Sequence, residues 1–190
     1  MRGIFAAFAL SLAAPALAQN VSVSEQRDPA GTLVMAHEVV VPAPPDAVWA
    51  GISTPEGWRT WAAPVARPVE GTPDAIETSY TLTAAPNDPT TIHQQILARI
   101  PGRLFVFRTV KAPQGFPHFE TYRQVVSIFE LMPEGSGTRV RLTGTNYADT
   151  DAGRQLLGFF REGNRVTLEQ LRERFTDGPI DWAGRLPRGQ

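Results

Sequence analysis

Moving a proton near neutral pH takes imidazoles, carboxylates or perturbed phenols. The side chains of this kind that stand out are the three histidines, His37, His93 and His118, with Tyr80, Tyr122, Glu120 and Glu130. If His93, His118, Tyr80, Tyr122 and either glutamate met in one cavity, burial would shift their pKa values and make a general acid–base set. The histidines are isolated, with no His-x-x-x-His or His-Glu-x-x-His spacing, and there is no cysteine and no Asp-rich loop. No metal and no cofactor is therefore expected. A Gly-x-Ser-x-Gly elbow and a glycine-rich phosphate loop are also missing, so nucleophilic catalysis has no positive sign and the catalytic residues stay unassigned. His37 opens an apolar segment and reads as a solvated or capping histidine, while the face His93 occupies depends on strand register.

The element that must position any such site is the stretch Asp151 to Phe175. Gly153, Leu157, Phe160, Asn164, Leu168, Leu171 and Phe175 recur there every three or four residues, which is one face of a helix roughly 37 Å long. Almost everything before it reads as strand: Leu33 to Val41, Val65 to Glu70, Ala75 to Thr83, Thr91 to Ile100, Arg103 to Val110, Glu120 to Leu131 and Thr138 to Tyr147. Turn chemistry separates them, as in Pro101-Gly102 and Pro133-Glu134-Gly135-Ser136-Gly137. Two short helices follow the first strand, one over Asp46 to Ile52 and one capped by Thr54 with Pro55 at its first position, bearing Trp58 and Trp61.

A lone long helix after a run of strands must bury its stripe against their sheet. The expected class is α+β: a seven-stranded curved antiparallel sheet gripping the C-terminal helix, with a pocket between them. Asn164, polar and in the middle of the apolar stripe, is the first candidate to face that pocket. Its amide is met either by a ligand or by a sheet group. Gly158 and Gly163 on the same helix each cost about 1 kcal/mol relative to Ala, so a close approach, a ligand or a bend is expected there. The loop carrying Phe116, His118 and Phe119 is either an aromatic gate over the pocket or a satellite core. Trp58 and Trp61 read as core residues, with closure of one end of the cavity as the alternative for Trp61. Arg123 falls in the more apolar set of its strand, where it either reaches solvent or meets an acidic group.

Residues 1–18 have the build of a secretory signal peptide: Arg2, an apolar run of about a dozen residues, then Ala16-Leu17-Ala18 before Gln19. That run is short of the ~20 residues that span a bilayer, and no later stretch is apolar enough. Residues 19–31 are expected as a flexible tail, 32–176 as the domain, and 177–190 as a C-terminal tail with Trp182 as its anchor, packed outside the domain or strapped across the pocket mouth. The net charge is −1 with no Lys/Arg run, which argues against nucleic acid as a partner. A periplasmic or secreted location follows from the leader.

The segment His37-Glu38-Val39-Val40-Val41-Pro42-Ala43-Pro44-Pro45-Asp46-Ala47-Val48-Trp49, followed by Thr54-Pro55-Glu56-Gly57-Trp58 and Trp61, resembles the opening of the START-like or Bet v 1-like (SRPBCC) superfamily. It is most similar in type to the Hsp90-activator-like (AHSA1) branch. The strand Gly137-Thr138-Arg139-Val140-Arg141-Leu142 and the closing helix are similar too. The resemblance implies a helix-grip fold with a hydrophobic cavity, used in that superfamily for lipids, sterols and polyketides and in some members for cyclase- or hydrolase-like chemistry. The leader separates this chain from the cytosolic co-chaperone role of the branch. Three readings follow: an exported binding protein for a small hydrophobic molecule or lipid, an enzyme of polyketide-cyclase or hydrolase type, or an envelope interaction module. Under the first, the candidate ligand-binding residues are Trp61, Tyr80, His93, Phe116, His118, Tyr122, Phe160 and Asn164.

Overall fold

A computed structural model describes residues 20–185, so the expected signal segment lies outside the described residues. The elements in chain order are β1 (Ser22–Arg27), β2 (Leu33–Val41), α1 (Pro45–Ser53), α2 (Pro55–Trp58), β3 (Val65–Pro68), β4 (Ala75–Ser79), β5 (Ile92–Ile100), β6 (Leu104–Lys111), α3 (Phe119–Tyr122), β7 (Val126–Glu134), β8 (Gly137–Tyr147), α4 (Asp151–Thr176) and α5 (Trp182–Arg185). The strands form one curved, unclosed antiparallel sheet in the order β1-β2-β8-β7-β6-β5-β4-β3, and α4 is gripped in it. This is the α+β helix-grip architecture.

Three details correct the expectation. The sheet has eight strands rather than seven, because Ser22–Arg27, expected within a flexible tail, pairs with β2 from Ser22 opposite Glu38 to Arg27 opposite Leu33. All residues of β1 are exposed, so it carries no apolar alternation that would mark a strand. The strand expected to begin at Glu120 begins at Val126, after a helical turn that left-handed His118 initiates at φ 55°. The C-terminal tail holds a further short helix. Trp182 is buried in the main core, its indole N–H donating to the Arg59 carbonyl at 2.7 Å, so it is neither an outside patch nor a strap over the cavity.

Helix α4 is capped by Thr150, whose hydroxyl accepts from the Gly153 N–H at 3.2 Å. Its apolar stripe enters two separate clusters. Leu168 and Leu171 join Trp58, Trp61, Phe105, Phe129 and the strand residues around them. Leu156 and Leu157 join Met35, Val125 and Tyr147, with Phe116, Tyr122 and Phe160 packed alongside. Between the clusters the helix presents Gly163, Asn164 and Thr167, which are too small or too polar to close the core.

His37 ties helix to sheet. It is fully buried, not solvated, and its Nε2–H donates to the Arg161 carbonyl of α4 at 2.9 Å while Nδ1 has no partner. Burial pushes the imidazole below its ordinary value of 6.5. The Arg161 carbonyl opposes that shift, the Arg161 guanidinium adds to it, and Glu25, which pairs with that guanidinium, opposes it. The unfolded chain therefore takes up a proton as pH drops below about 6.5 while the folded chain does not. The His37 contribution is present in full above that pH and is lost as pH falls towards the depressed folded value. Urea unfolding at pH 7.5 and 5.0 should show the wild type losing on the order of 1 kcal/mol more than His37→Gln over that interval. Equal losses would show that His37 is not held neutral.

Gly158 has nothing within 4 Å of a Cβ built upon it, so no close approach accounts for a glycine there. Gly158→Ala should raise stability by ~1 kcal/mol, read as a higher urea midpoint with unchanged slope.

Candidate functional site: an aromatic cavity under the long helix

The gap between the two clusters is a cavity of about 370 Å³. That is at the lower end of the range for small-molecule sites, roughly 300–1,000 Å³. Strands β4 to β8, α2 and its exit, α3, the loop before α3, and the middle of α4 all contribute to its wall.

The tryptophans form one end. Trp58 Nε1–H donates to the Ile52 carbonyl at 2.6 Å and Trp61 Nε1–H to the Gly51 carbonyl at 2.9 Å. Their polar edges are thus consumed by α1, and what they offer the cavity is apolar ring. Phe107 and Phe129 lie beside them, with Phe107 5.6 Å from Trp58 and Phe129 6.2 Å from Trp61 between ring centroids. The other end is a second aromatic group, in which Tyr122 stacks on Phe160 at 4.6 Å and Phe116 sits 5.3 Å from Tyr122. Tyr147 lies flat over Gly144 of its own strand. A Cβ at Gly144 would fall 2.8 Å from the Tyr147 hydroxyl, so only glycine lets the ring occupy that place.

All three tyrosines of the chain border the cavity. Burial pushes the Tyr122 phenol up to about 12, the hydrogen bond from Thr109 (3.0 Å) opposes this, and Tyr80 adds to it. Burial likewise raises Tyr147, with Tyr122 as a second cause, and burial raises Tyr80. Tyr80 stands at the mouth, where 52% of its surface is open to solvent even though protein surrounds much of the ring. Its shift is accordingly weaker support for a dry environment than those of the other two. As neutral phenols these groups can donate or accept a hydrogen bond but not act as bases near pH 7.

The candidate residues divide. Trp61, Tyr80, Phe116, Tyr122, Phe160 and Asn164 line the cavity together. The two histidines do not. His93 points to the opposite face of β5, where Nε2 meets Glu77 at 2.7 Å. Glu77 is itself buried: burial raises its carboxyl, but the Asn87 N–H, Arg67 and His93 outweigh that and hold it below the ordinary carboxylate value. This network fastens the loop after Tyr80 to the outside of the sheet. His118 lies outside the cavity and bridges to Gln155 of α4 at 2.8 Å, tying the Phe116 loop to the helix. Glu120 is exposed and paired with Arg123, which also points to solvent, and Glu130 is absent from the cavity wall. The acid–base set suggested by residue type is therefore not assembled. Among the described residues lining the cavity there is no carboxylate, imidazole, lysine or arginine.

Sequence reasoning missed Thr78, Gln94, Thr109 and Ser127, the polar residues on the sheet side of the cavity, along with Phe107 and Tyr147. The alternation of Ile92, Gln94 and Ile96 against His93 was the available signal, since Ile96 packs on the core and takes Gln94 to the same face.

Residues 32–176 match the family model for polyketide cyclase / dehydrase and lipid transport, and the chain belongs to that family. Its fold is the START-like, Bet v 1-like helix-grip one. No curated protein matches. Among solved structures the chain is similar to the Aha1 dimer from Colwellia psychrerythraea, with 16% identity over 76% of this chain and 97% of that one and a TM-score of 0.59. It is also similar to CalU16 from Micromonospora echinospora, with 20% identity, 88% and 90% coverage and a TM-score of 0.57. At these identities the likeness extends to the fold alone.

Tyrosinate absorbance checks the dryness of the cavity. At pH 10, where an ordinary phenol is half ionised, any rise should come from the half-exposed Tyr80, with Tyr122 and Tyr147 titrating later or only on unfolding. Half a phenolate per chain at pH 10 from Tyr122, identified by its loss in Tyr122→Phe, would contradict the geometry.

Proposed function

We propose that the protein is an exported binding protein that encloses one small hydrophobic or amphipathic molecule between the sheet and α4. The observation that carries this reading is a formed aromatic cavity whose wall holds no ionisable group other than raised-pKa phenols. Such a site offers affinity through apolar burial, at ~25 cal/mol per Å², and orientation through a few hydrogen bonds. It offers little to a reaction that needs a base. The signal-like residues 1–18 support export, and no described helix is long and apolar enough to cross a membrane. The family description, which includes lipid transport, is consistent with a carrier. A cyclase-like activity is the second reading, favoured by Tyr122, a cavity-lining neutral phenol whose hydroxyl accepts from Thr109 and keeps its own proton to donate to a carbonyl.

The Asn164 side chain makes no hydrogen bond to any described residue, although the amide borders the cavity. Asn164→Leu should keep the fold, with its melting temperature unchanged or raised, and weaken retention of a co-purifying apolar molecule. Native mass spectrometry of the exported protein, followed by organic extraction, reads this directly. A stoichiometric passenger in the wild type that is depleted in Asn164→Leu supports the reading. A drop of several degrees in Asn164→Leu, with no passenger in the wild type to lose, would make Asn164 a structural residue.

A further inference from the structure

Gln94 carries one of the few unpartnered buried polar atoms among the described residues. It lies on β5 with 7% of its surface exposed, and its Nε2 donates to Thr78 Oγ1 at 3.1 Å while Oε1 is buried with no partner. An orphaned buried amide oxygen costs the free protein ~1–3 kcal/mol. The cost falls at a cavity wall, since both Gln94 and Thr78 line it.

The register extends the polar strip. Gln94 is opposite Thr109 on the neighbouring β6, and the Thr109 hydroxyl in turn reaches Tyr122. Thr78, Gln94, Thr109 and Tyr122 thus run across β4, β5 and β6 to α3 on one side of an otherwise aromatic cavity. Every member of the strip is neutral.

We infer that the cavity is built for an uncharged ring compound carrying a hydroxyl group, which Gln94 receives at its unpaired amide end. This rests on the binding reading above and specifies its ligand class. A hydroxyl both donates and accepts, so it completes the Gln94 amide and takes a second bond from a neighbouring hydroxyl. A carboxylate brings no donor to Oε1 and would be buried with no cation to meet it. An ammonium would be buried with no carboxylate. A pure hydrocarbon leaves Oε1 unpaired, as it is in the free protein. The flat aromatic walls set by Trp58, Trp61, Phe107 and Phe160 favour a ring over an extended chain.

Three probes of one shape separate these possibilities: 2-naphthol, naphthalene and 2-naphthoate, titrated into the protein at pH 7 by calorimetry or fluorescence. The wild type should bind 2-naphthol about tenfold more tightly than naphthalene, the worth of one buried hydrogen bond, and 2-naphthoate most weakly. Gln94→Leu should erase the preference for 2-naphthol and leave naphthalene binding unchanged or tighter. The inference is overturned if 2-naphthoate matches 2-naphthol, or if naphthalene binds the wild type as well as 2-naphthol does. Equal weakening of naphthol and naphthalene in Gln94→Leu overturns it too. The wild-type ranking needs no variant and decides the matter should Gln94→Leu not fold. Failure of all three probes to bind the wild type overturns the binding reading itself, and the inference falls with it.

Discussion

A helix of this length has to bury one stripe along a curved sheet, and here the stripe is interrupted. Leucines close the core at both ends of α4, while Gly163, Asn164 and Thr167 occupy the middle. Thr167 turns its hydroxyl back to the Gly163 carbonyl at 2.8 Å, and a Cβ on Gly163 would meet nothing closer than Phe160 at 3.9 Å. The core is close-packed on either side of this point and cannot be closed at it, because the side chains that would fill the space are not there. The cavity follows from that interruption.

The rest of the structure keeps the interruption open and dry. Tryptophan N–H groups are satisfied outward by the α1 backbone, so aromatic surface can face inward without an orphaned donor. Charges are kept to the outside: Glu77, Arg67 and His93 form their network on the far face of the sheet, and Arg161 pairs with Glu25 at its edge. His37 contributes a bond from the sheet to a mid-helix carbonyl without bringing a charge into the interface. The result is a low-dielectric site bordered by phenols, hydroxyls and amides, in which hydrogen bonds are strong and ions are excluded.

Much of this was legible in the chain. The helix was visible because a 3.6-residue period sustained over many turns fits a helix and not a strand, and Asn164 stood out as a break in that period. What the chain could not show were features whose causes are non-local. Strand β1 is exposed on both faces and is held by main-chain pairing to β2, which leaves no mark in side-chain pattern. Residues Glu120 to Tyr122 look like a strand by composition but belong to a helical turn that begins after His118 in a left-handed conformation. The histidines stood out by their chemistry, whereas register decided the outcome. One residue separates His93, spent on Glu77, from Gln94, which faces the cavity.

The most direct test of the interrupted stripe as a binding site is a two-dimensional amide NMR titration of the isotopically labelled protein with naphthalene. Shifts should concentrate on Gly163, Asn164 and Thr167 of α4 and, across the cavity, on Gln94, Thr109 and Tyr122. Little change is predicted at His93, Glu77 and the rest of the outer face. Shifts confined to the outer face, or no shift at ligand saturation of the solution, would show that the gap in the helix stripe is not a binding site.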